Sequence, residues 1–315
     1  MQSNGVPPVL TADAPPVIGA TPAVPPVLPA VISPVITLKP RVWTVFVLYA
    51  ITLAAILLVS AAVVTGVALA RYGTLTADHM KLAAESAPGM LGSLLAVMIV
   101  VAGAATAGAL LSRLPWCDRL RLRGINASLP SLLVGSTGII GIGLVLLGLT
   151  GLSLIPPSPA LESFDRFIKG LSAPGLLAAL IVAGLLPGIA EEMFFRGFVQ
   201  TRLRARWGCR WAILWTSLMF GVMHFDFIHG CFAVAIGLFL GYLTEWADSI
   251  VPAMICHATN NVISILLSAN GVDFVGRQTN LLVLAIGLLV VAAAVLYLRS
   301  HRSPSMPTNQ KIEPS

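Results

Sequence analysis

Glu191 and Glu192 stand side by side, with Arg196 following in the stretch Glu191-Glu192-Met193-Phe194-Phe195-Arg196, and almost everything around them is apolar. Further along come Phe220 with His224, then His257 with Asn261, each pair four residues apart. Residues at that spacing share one face of a helix. Glu192 and Arg196 therefore pair in the favoured acid-before-base order, while Glu191 points about 100° away from them. One carboxylate is compensated and the other stays available. A free carboxylate with two imidazoles is a set of side chains for moving protons. Burying such groups is expensive, since insertion scales charge about 2.5–3.5 kcal/mol for each ionised side chain at mid-bilayer.

The mid-bilayer comparison is apt because of what surrounds the cluster. Of the 315 residues, 57% are hydrophobic and 10% charged, against about 25% charged in ordinary globular domains, which excludes a water-soluble fold. A membrane span needs about 20 apolar residues to cross about 30 Å of hydrocarbon. Scanned with that ruler, the chain offers eight candidates: 42–70, 88–111, 132–155, 174–199, 211–224, 231–246, 250–268 and 281–298. The expected fold class is all-α, a polytopic integral membrane protein of about eight transmembrane helices. The fifth and sixth candidates are short, as a tilted or partly re-entrant region would be. Residues 160–170 read as a short segment lying at the interface, with Phe164 and Phe167 on one side. Measured from the cytoplasmic ends of the expected spans at about 1.5 Å per residue, His257 lies about 10 Å deep, Glu191 about 12 Å and His224 about 20 Å. A tilted fifth span would bring His224 level with the other two.

The formal charge is +6, yet the arginines fall in short clusters between apolar runs, which is a topology signal and not a nucleic-acid face. Alternate loops collect thirteen Lys and Arg on one side and five on the other, with Arg196 inside a span. The positive-inside rule then places both termini in the cytoplasm. The richness in Ala, Val and Leu suggests a bacterial plasma membrane. Cys117, Cys209, Cys231 and Cys256 form no C-x-x-C pair, so neither a disulfide framework nor a zinc ribbon is expected. Residues 1–40 hold ten prolines in repeated Pro-Pro-Val units, a composition for a disordered cytoplasmic tail and not for a signal peptide.

Taken together, the residues resemble the CPBP intramembrane proteases, also called the type II CAAX prenyl endopeptidase or ABI family. That family's pattern is E-E-x-x-x-R, then F-x-x-x-H, then H-x-x-x-N on successive membrane segments. Glu191, Glu192 and Arg196, Phe220 and His224, and His257 and Asn261 fill all seven positions in order. The resemblance divides the chain into the tail 1–40, N-terminal transmembrane helices and loops over 41–172, a CPBP-like catalytic core over 173–268, a final transmembrane helix over 269–300 and a cytoplasmic tail over 301–315.

What the resemblance implies is an endopeptidase acting within the membrane on membrane-associated peptides or proteins, with the lipid bilayer as its other partner. Glu191 is then the general base on water, His224 helps to hold and polarise that water, and His257 with Asn261 donates hydrogen bonds to the oxyanion. Glu192, Arg196 and Phe220 support them. No cofactor is favoured; zinc is the alternative, with Glu191, His224 and His257 as its ligands. Other intramembrane protease signatures are absent from the sequence: there is no H-E-x-x-H, no G-x-S-G and no G-x-G-D. Two readings from other classes stand beside this one, a proton-coupled carrier in which the glutamates titrate, and a non-catalytic immunity or scaffold member of the same family.

Several polar positions draw blander expectations. Asp226, His229 and Asp248 read as solvated loop residues, Asn260 as a packing residue, and Glu245 as interfacial. Arg202, Arg204, Arg206 and Arg210 read as topology and lipid contacts. Pro187-Gly188 is expected to loosen the helix just before the glutamates.

Overall fold

The computed structural model describes residues 41–110, 115–123, 129–272 and 275–301, and every regular element among them is helical. The stretches 1–40 and 302–315, expected to be tails, lie outside the described residues. Helix α1 is Trp43–Tyr72, α2 Ala77–Glu85, α3 Ala87–Leu110, α4 Trp116–Arg119, α5 Leu129–Gly151 and α6 Pro159–Lys169. The long helix α7 runs over Ala173–Trp207. It is followed by α8 Cys209–Val222, α9 Phe227–Ala247, α10 Val251–Ala269 and α11 Arg277–Ser300.

Seven of these, α1, α3, α5, α7, α9, α10 and α11, are long and apolar enough to cross a bilayer. Helix α8, at 14 residues, reaches only about 21 Å. It corresponds to the fifth expected span, whose shortness was legible. The sixth is longer than expected: α9 has 21 residues, because its first turn contains His229 and is capped by Asp226, polar residues that an apolar ruler rejects. Helix α7 likewise outruns its apolar stretch, since Arg202, Arg204 and Arg206 are good helix formers and carry the helix on to Trp207.

Contacts between chain-distant residues sort the helix ends into two groups. At one end Arg202 bonds Thr44 at 2.7 Å, Arg204 meets Glu245 at 3.1 Å, Arg121 meets Glu245 at 2.8 Å, and Leu298 belongs to the same buried cluster as Trp246 and Ala247. At the other end Asp226 accepts from the backbone of Ala160 at 3.4 Å, Ser268 donates to Asp165 at 2.6 Å, and Asn280 donates to the carbonyl of Gly151 at 3.1 Å. The chain thus runs back and forth between two faces. Although short, α8 joins them together with the turn 223–226, so α8 and α9 form an antiparallel hairpin, and Arg41 and His301 lie at the same end of the bundle.

Two apolar clusters flank the polar residues. One joins α1, α3, α7 and α8 through Val45, Tyr49, Val101, Phe195, Phe198 and Phe220. The other joins α5, α9, α10 and α11 through Ile139, Phe239, Leu243, Cys256 and Leu298. Outward faces carry exposed leucines such as Leu58, Leu289 and Leu296, as lipid contact requires. Helices α7 and α10 touch backbone to backbone at Gly188, where an added Cβ would stand 2.7 Å from the nitrogen of Ala258. That contact fixes the distance between the glutamates and His257.

Candidate functional site

Helix α7 is not uniform. Wide π-helical turns at Leu180–Leu185 and Met193–Gln200 flank a regular α-helical piece, Leu186–Glu192, that contains Pro187. Proline supplies no N–H to the ladder, and the wide turn just before it absorbs the misfit that Pro187-Gly188 was expected to create. π-Helical turns are uncommon and concentrate at functional sites. In the second one every residue from Phe194 to Gln200 is buried, so this stretch of α7 is covered all round.

The expected pair is present. Arg196 and Glu192 are both fully buried and lie 2.7 Å apart. Arg196 also donates to the carbonyl of Gly237 on α9 at 3.1 Å, and its guanidinium carbon stands 4.9 Å from the centre of the Phe220 ring. A second partner for Glu192 was not foreseen: its Oε1 lies 2.8 Å from Nδ1 of His257. Since the carboxylate paired with Arg196 only accepts, Nδ1 of His257 donates. Glu191, 7% exposed, points its Oε2 at the other ring nitrogen, Nε2, from 3.9 Å. That is too far for a hydrogen bond, and Glu191 makes none with any described residue.

Phe220 is the hub. Its ring lies 5.1 Å from that of Phe195, 4.9 Å from His224 and 5.9 Å from His257. His224 and His257 therefore both pack against one aromatic ring. His224 sits in the turn beyond the last residue of α8, and its Nδ1 donates to the carbonyl of Phe220 at 2.8 Å, which leaves Nε2 as its acceptor.

Six of the seven residues thus meet in one cluster. Asn261 lies one turn along α10 from His257, half-buried, and its Oδ1 accepts from Asn260 at 3.3 Å. Its amide hydrogens have no partner among the described residues. Asn260, expected to be a packing residue, is what orients that amide.

Among the described residues no three His, Cys, Asp or Glu side chains converge as a metal ion would need. Nδ1 of both His224 and His257 faces a protein oxygen, as in most metal-ligating histidines, which leaves both Nε2 atoms available to a ligand, and Glu191 lies 3.9 Å from one of them. The donor types suit zinc although they are not gathered around one point, and no step is built on a metal. The four cysteines are free. A cavity of about 280 Å³ between α5, α9 and α11, lined by Ile142, Phe239, Tyr242 and Val295 among others, holds none of the seven residues.

Four polar residues differ from their expectation. His229 is not solvated: it is half-buried, with its ring 4.4 Å from that of His224. Asp226 caps α9, accepting from the backbone N–H of His229 at 2.7 Å, a bond that holds its carboxyl below the usual carboxylate range. Asp248 pairs with Arg121 at 2.9 Å and with Arg123, while Glu245 is buried and bonded to Arg121, Arg204 and Gln200. The signal for this network is a shared spacing. Arg196, Gln200 and Arg204 on α7 face Gly237, Gly241 and Glu245 on α9, rung by rung, through bonds of 3.1, 3.1 and 3.1 Å.

Residues 173–263 match the family model described as Type II CAAX prenyl endopeptidase Rce1-like. The match begins with α7 and ends within α10, so it includes all seven residues of the pattern. Over that segment the chain is similar to a family of membrane endopeptidases; the helices before α7 fall outside the match. No curated protein matches the chain.

Proposed function

We propose that the protein is an intramembrane endopeptidase that hydrolyses peptide bonds of membrane-associated peptides or proteins by a metal-free, glutamate-activated water. The observation that carries this reading is the division of labour between neighbouring carboxylates. Glu192 takes both Arg196 and His257 on one oxygen, its other oxygen being buried without a hydrogen bond to the described residues, while Glu191 keeps both oxygens free of hydrogen bonds to described residues and faces an imidazole. A purely structural ion pair has no use for the second glutamate.

In this reading Glu191 removes one proton from a water molecule, and Nε2 of His224, left as an acceptor, takes a hydrogen bond from the other O–H and so aims the oxygen lone pair. The oxygen attacks the carbonyl carbon, and the carbonyl oxygen becomes an oxyanion. The free amide N–H of Asn261 donates to it. His257 donates from Nε2 only when both of its nitrogens carry protons, because Nδ1 already faces Glu192. That form is an imidazolium, and Glu192 is its counter-charge. Glu191 then returns its proton to the leaving amine as the C–N bond breaks. Preorganised donors of this kind are each worth about 2.7–4 kcal/mol of barrier in measured cases.

The basic loops sort with the end of the bundle that holds Arg121, Arg202 and Arg204, and we assign that end, with both chain termini, to the cytoplasmic side of a bacterial plasma membrane. Labelling of single cysteines placed near Arg41 and in the turn at Phe225 tests this: membrane-impermeant reagent applied from outside is expected to reach only the second.

The decisive experiment is cleavage of a mixed membrane-peptide library by the purified protein in detergent, beside Glu191→Ala, with and without a strong zinc chelator. Cleavage by the wild type, lost in Glu191→Ala and indifferent to chelation, is the expected result. Activity lost on chelation and restored by zinc would overturn the metal-free mechanism. Proton-dependent uptake abolished by Glu191→Ala, without cleavage, would make the protein a carrier.

A further inference from the structure

We propose that His229 is a positioning residue of this site: its imidazole packs against His224 and holds that ring in the one orientation that leaves Nε2 free to work.

The need arises from where His224 sits. Helix α8 ends at Val222, and beyond it a tight turn, with the N–H of His224 bonded to the carbonyl of Gly221 at 3.1 Å, holds the backbone but not the imidazole. Three contacts hold the ring. Nδ1 is tied to the carbonyl of Phe220 at 2.8 Å, the Phe220 ring stands edge-on at 4.9 Å and 90°, and the His229 ring closes the remaining side at 4.4 Å and 65°. Remove the last and the imidazole can swing about its χ angles, exchanging the Phe220 bond for others.

The placement of His229 is itself over-determined. Its backbone N–H is bonded to Asp226 at 2.7 Å, which fixes the first turn of α9. Its neighbour Gly230 lies at a close backbone approach of α8 and α9: a Cβ on Gly221 would stand 2.6 Å from the carbonyl oxygen of Gly230. The hairpin is drawn together at the point where the two imidazoles must meet. Among the described residues the groups facing His229 are Asp226 from its own turn and His224 from the turn beyond α8.

The consequence for activity rests on the endopeptidase reading, so the test has one arm that does not. With histidines labelled in ¹⁵N, the five imidazoles of the chain give a tractable spectrum, and His224→Gln assigns the signal of interest. Wild type is expected to show His224 as a single tautomer protonated on Nδ1. His229→Phe, which keeps an aromatic face, is expected to preserve it, and His229→Ala to replace it by an averaged tautomer. In cleavage assays His229→Ala is expected to lower kcat between about 10- and 100-fold, the scale of a misplaced catalytic group, with KM within about twofold and His229→Phe near wild type. A fixed Nδ1–H tautomer in His229→Ala would overturn the proposal, as would a His229→Phe variant as damaged as His229→Ala. If the spectra follow expectation while the wild type shows proton-dependent uptake and no cleavage, the positioning role stands and the endopeptidase reading falls.

Discussion

The carboxylate of Glu192 lies 2.8 Å from Nδ1 of His257, on the same oxygen that receives Arg196. One buried anion therefore neutralises a guanidinium within its own helix and fixes an imidazole on another. Replacing Glu192 by Ala strands Arg196 in a place with no access to water. Breaking a buried pair from one side costs about 3–5 kcal/mol, so Glu192→Ala is expected to lower the unfolding midpoint in detergent sharply. Glu192→Ala combined with Arg196→Met removes both charges and is expected to recover much of the loss. A double variant no more stable than Glu192→Ala would show that the pair is not the reason.

Glu191 predicts the opposite balance. It makes no hydrogen bond to the described residues, and Nε2 of His257 stands 3.9 Å away. Glu191→Gln keeps the shape and removes a charge that nothing nearby fully compensates. Thermal unfolding is expected to stay within about 1 kcal/mol of wild type, since no paired group is orphaned, while peptide cleavage falls by three orders of magnitude or more. A Glu191→Gln protein that is both inactive and badly destabilised would place Glu191 among the structural groups.

Gly188 sets the spacing of the site without taking part in it. A methyl group there would stand 2.7–2.9 Å from the nitrogen, Cβ and Cα of Ala258, and two of those atoms are backbone that cannot rotate away. Gly188→Ala must therefore push α7 from α10 next to the Glu192–His257 bond. Overpacking of this kind costs about 1–3 kcal/mol. Activity is expected to drop more than stability does, measured as kcat beside the unfolding midpoint.

The polar network at the other end of α7 offers a contrast between buried and exposed partners of one arginine. Arg121 takes a left-handed φ of 55° and bonds both Glu245, whose side chain is 3% exposed, and Asp248, 46% exposed. Glu245→Ala is expected to cost up to about 3–5 kcal/mol, because it breaks a buried ion pair from one side and leaves Arg121 only the half-exposed Asp248 and the carbonyl of Thr244. Asp248→Asn, which tolerates the left-handed backbone, is expected to cost under about 1 kcal/mol, as exposed pairs do. Equal losses from the two would mean that burial does not decide their worth.

These contrasts mark what the sequence could and could not say. Eight apolar runs and three spaced motifs were legible because hydrophobic length and helical period are local. The pairing of Glu192 with Arg196 followed from an i, i+4 spacing within one helix. The bond from Glu192 to His257 did not, since it depends on how closely α7 and α10 approach, and that is set by Gly188 meeting Ala258 some seventy residues away. Asp226 and His229 were misjudged for a related reason. Polar residues between apolar runs read as solvated loop, but here one is a helix cap and the other is folded back against His224 by the α8–α9 hairpin. Of the two π-helical turns of α7, the first is marked by Pro187 just after it and the second leaves no mark in composition.

Helix α6 is tied to the bundle by two carboxylates, and both predict what acid does to it. Asp226, beyond its bond from His229, accepts from the backbone of Ala160 at 3.4 Å. Asp165 pairs with Lys169 at 2.9 Å and accepts from Ser268 on α10 at 2.6 Å. Partial burial pushes the Asp165 carboxyl upward, but Ser268 and Lys169 together hold it below its ordinary range, and the N–H of His229 does the same for Asp226. A carboxyl whose folded pKa is depressed contributes stability in full above its unfolded pKa and loses it as the pH falls through the folded one. Between neutrality and about pH 4, near the ordinary value for Asp, α6 should stay in place, and below that both ties should weaken together. Hydrogen exchange of the α6 amides is the measurement, with protection constant down to about pH 4 and falling below it. In Asp165→Asn combined with Asp226→Asn the acid-dependent step should vanish, because neither side chain can then take up a proton; loss of protection already at pH 6 in the wild type would assign the release of α6 to a different group.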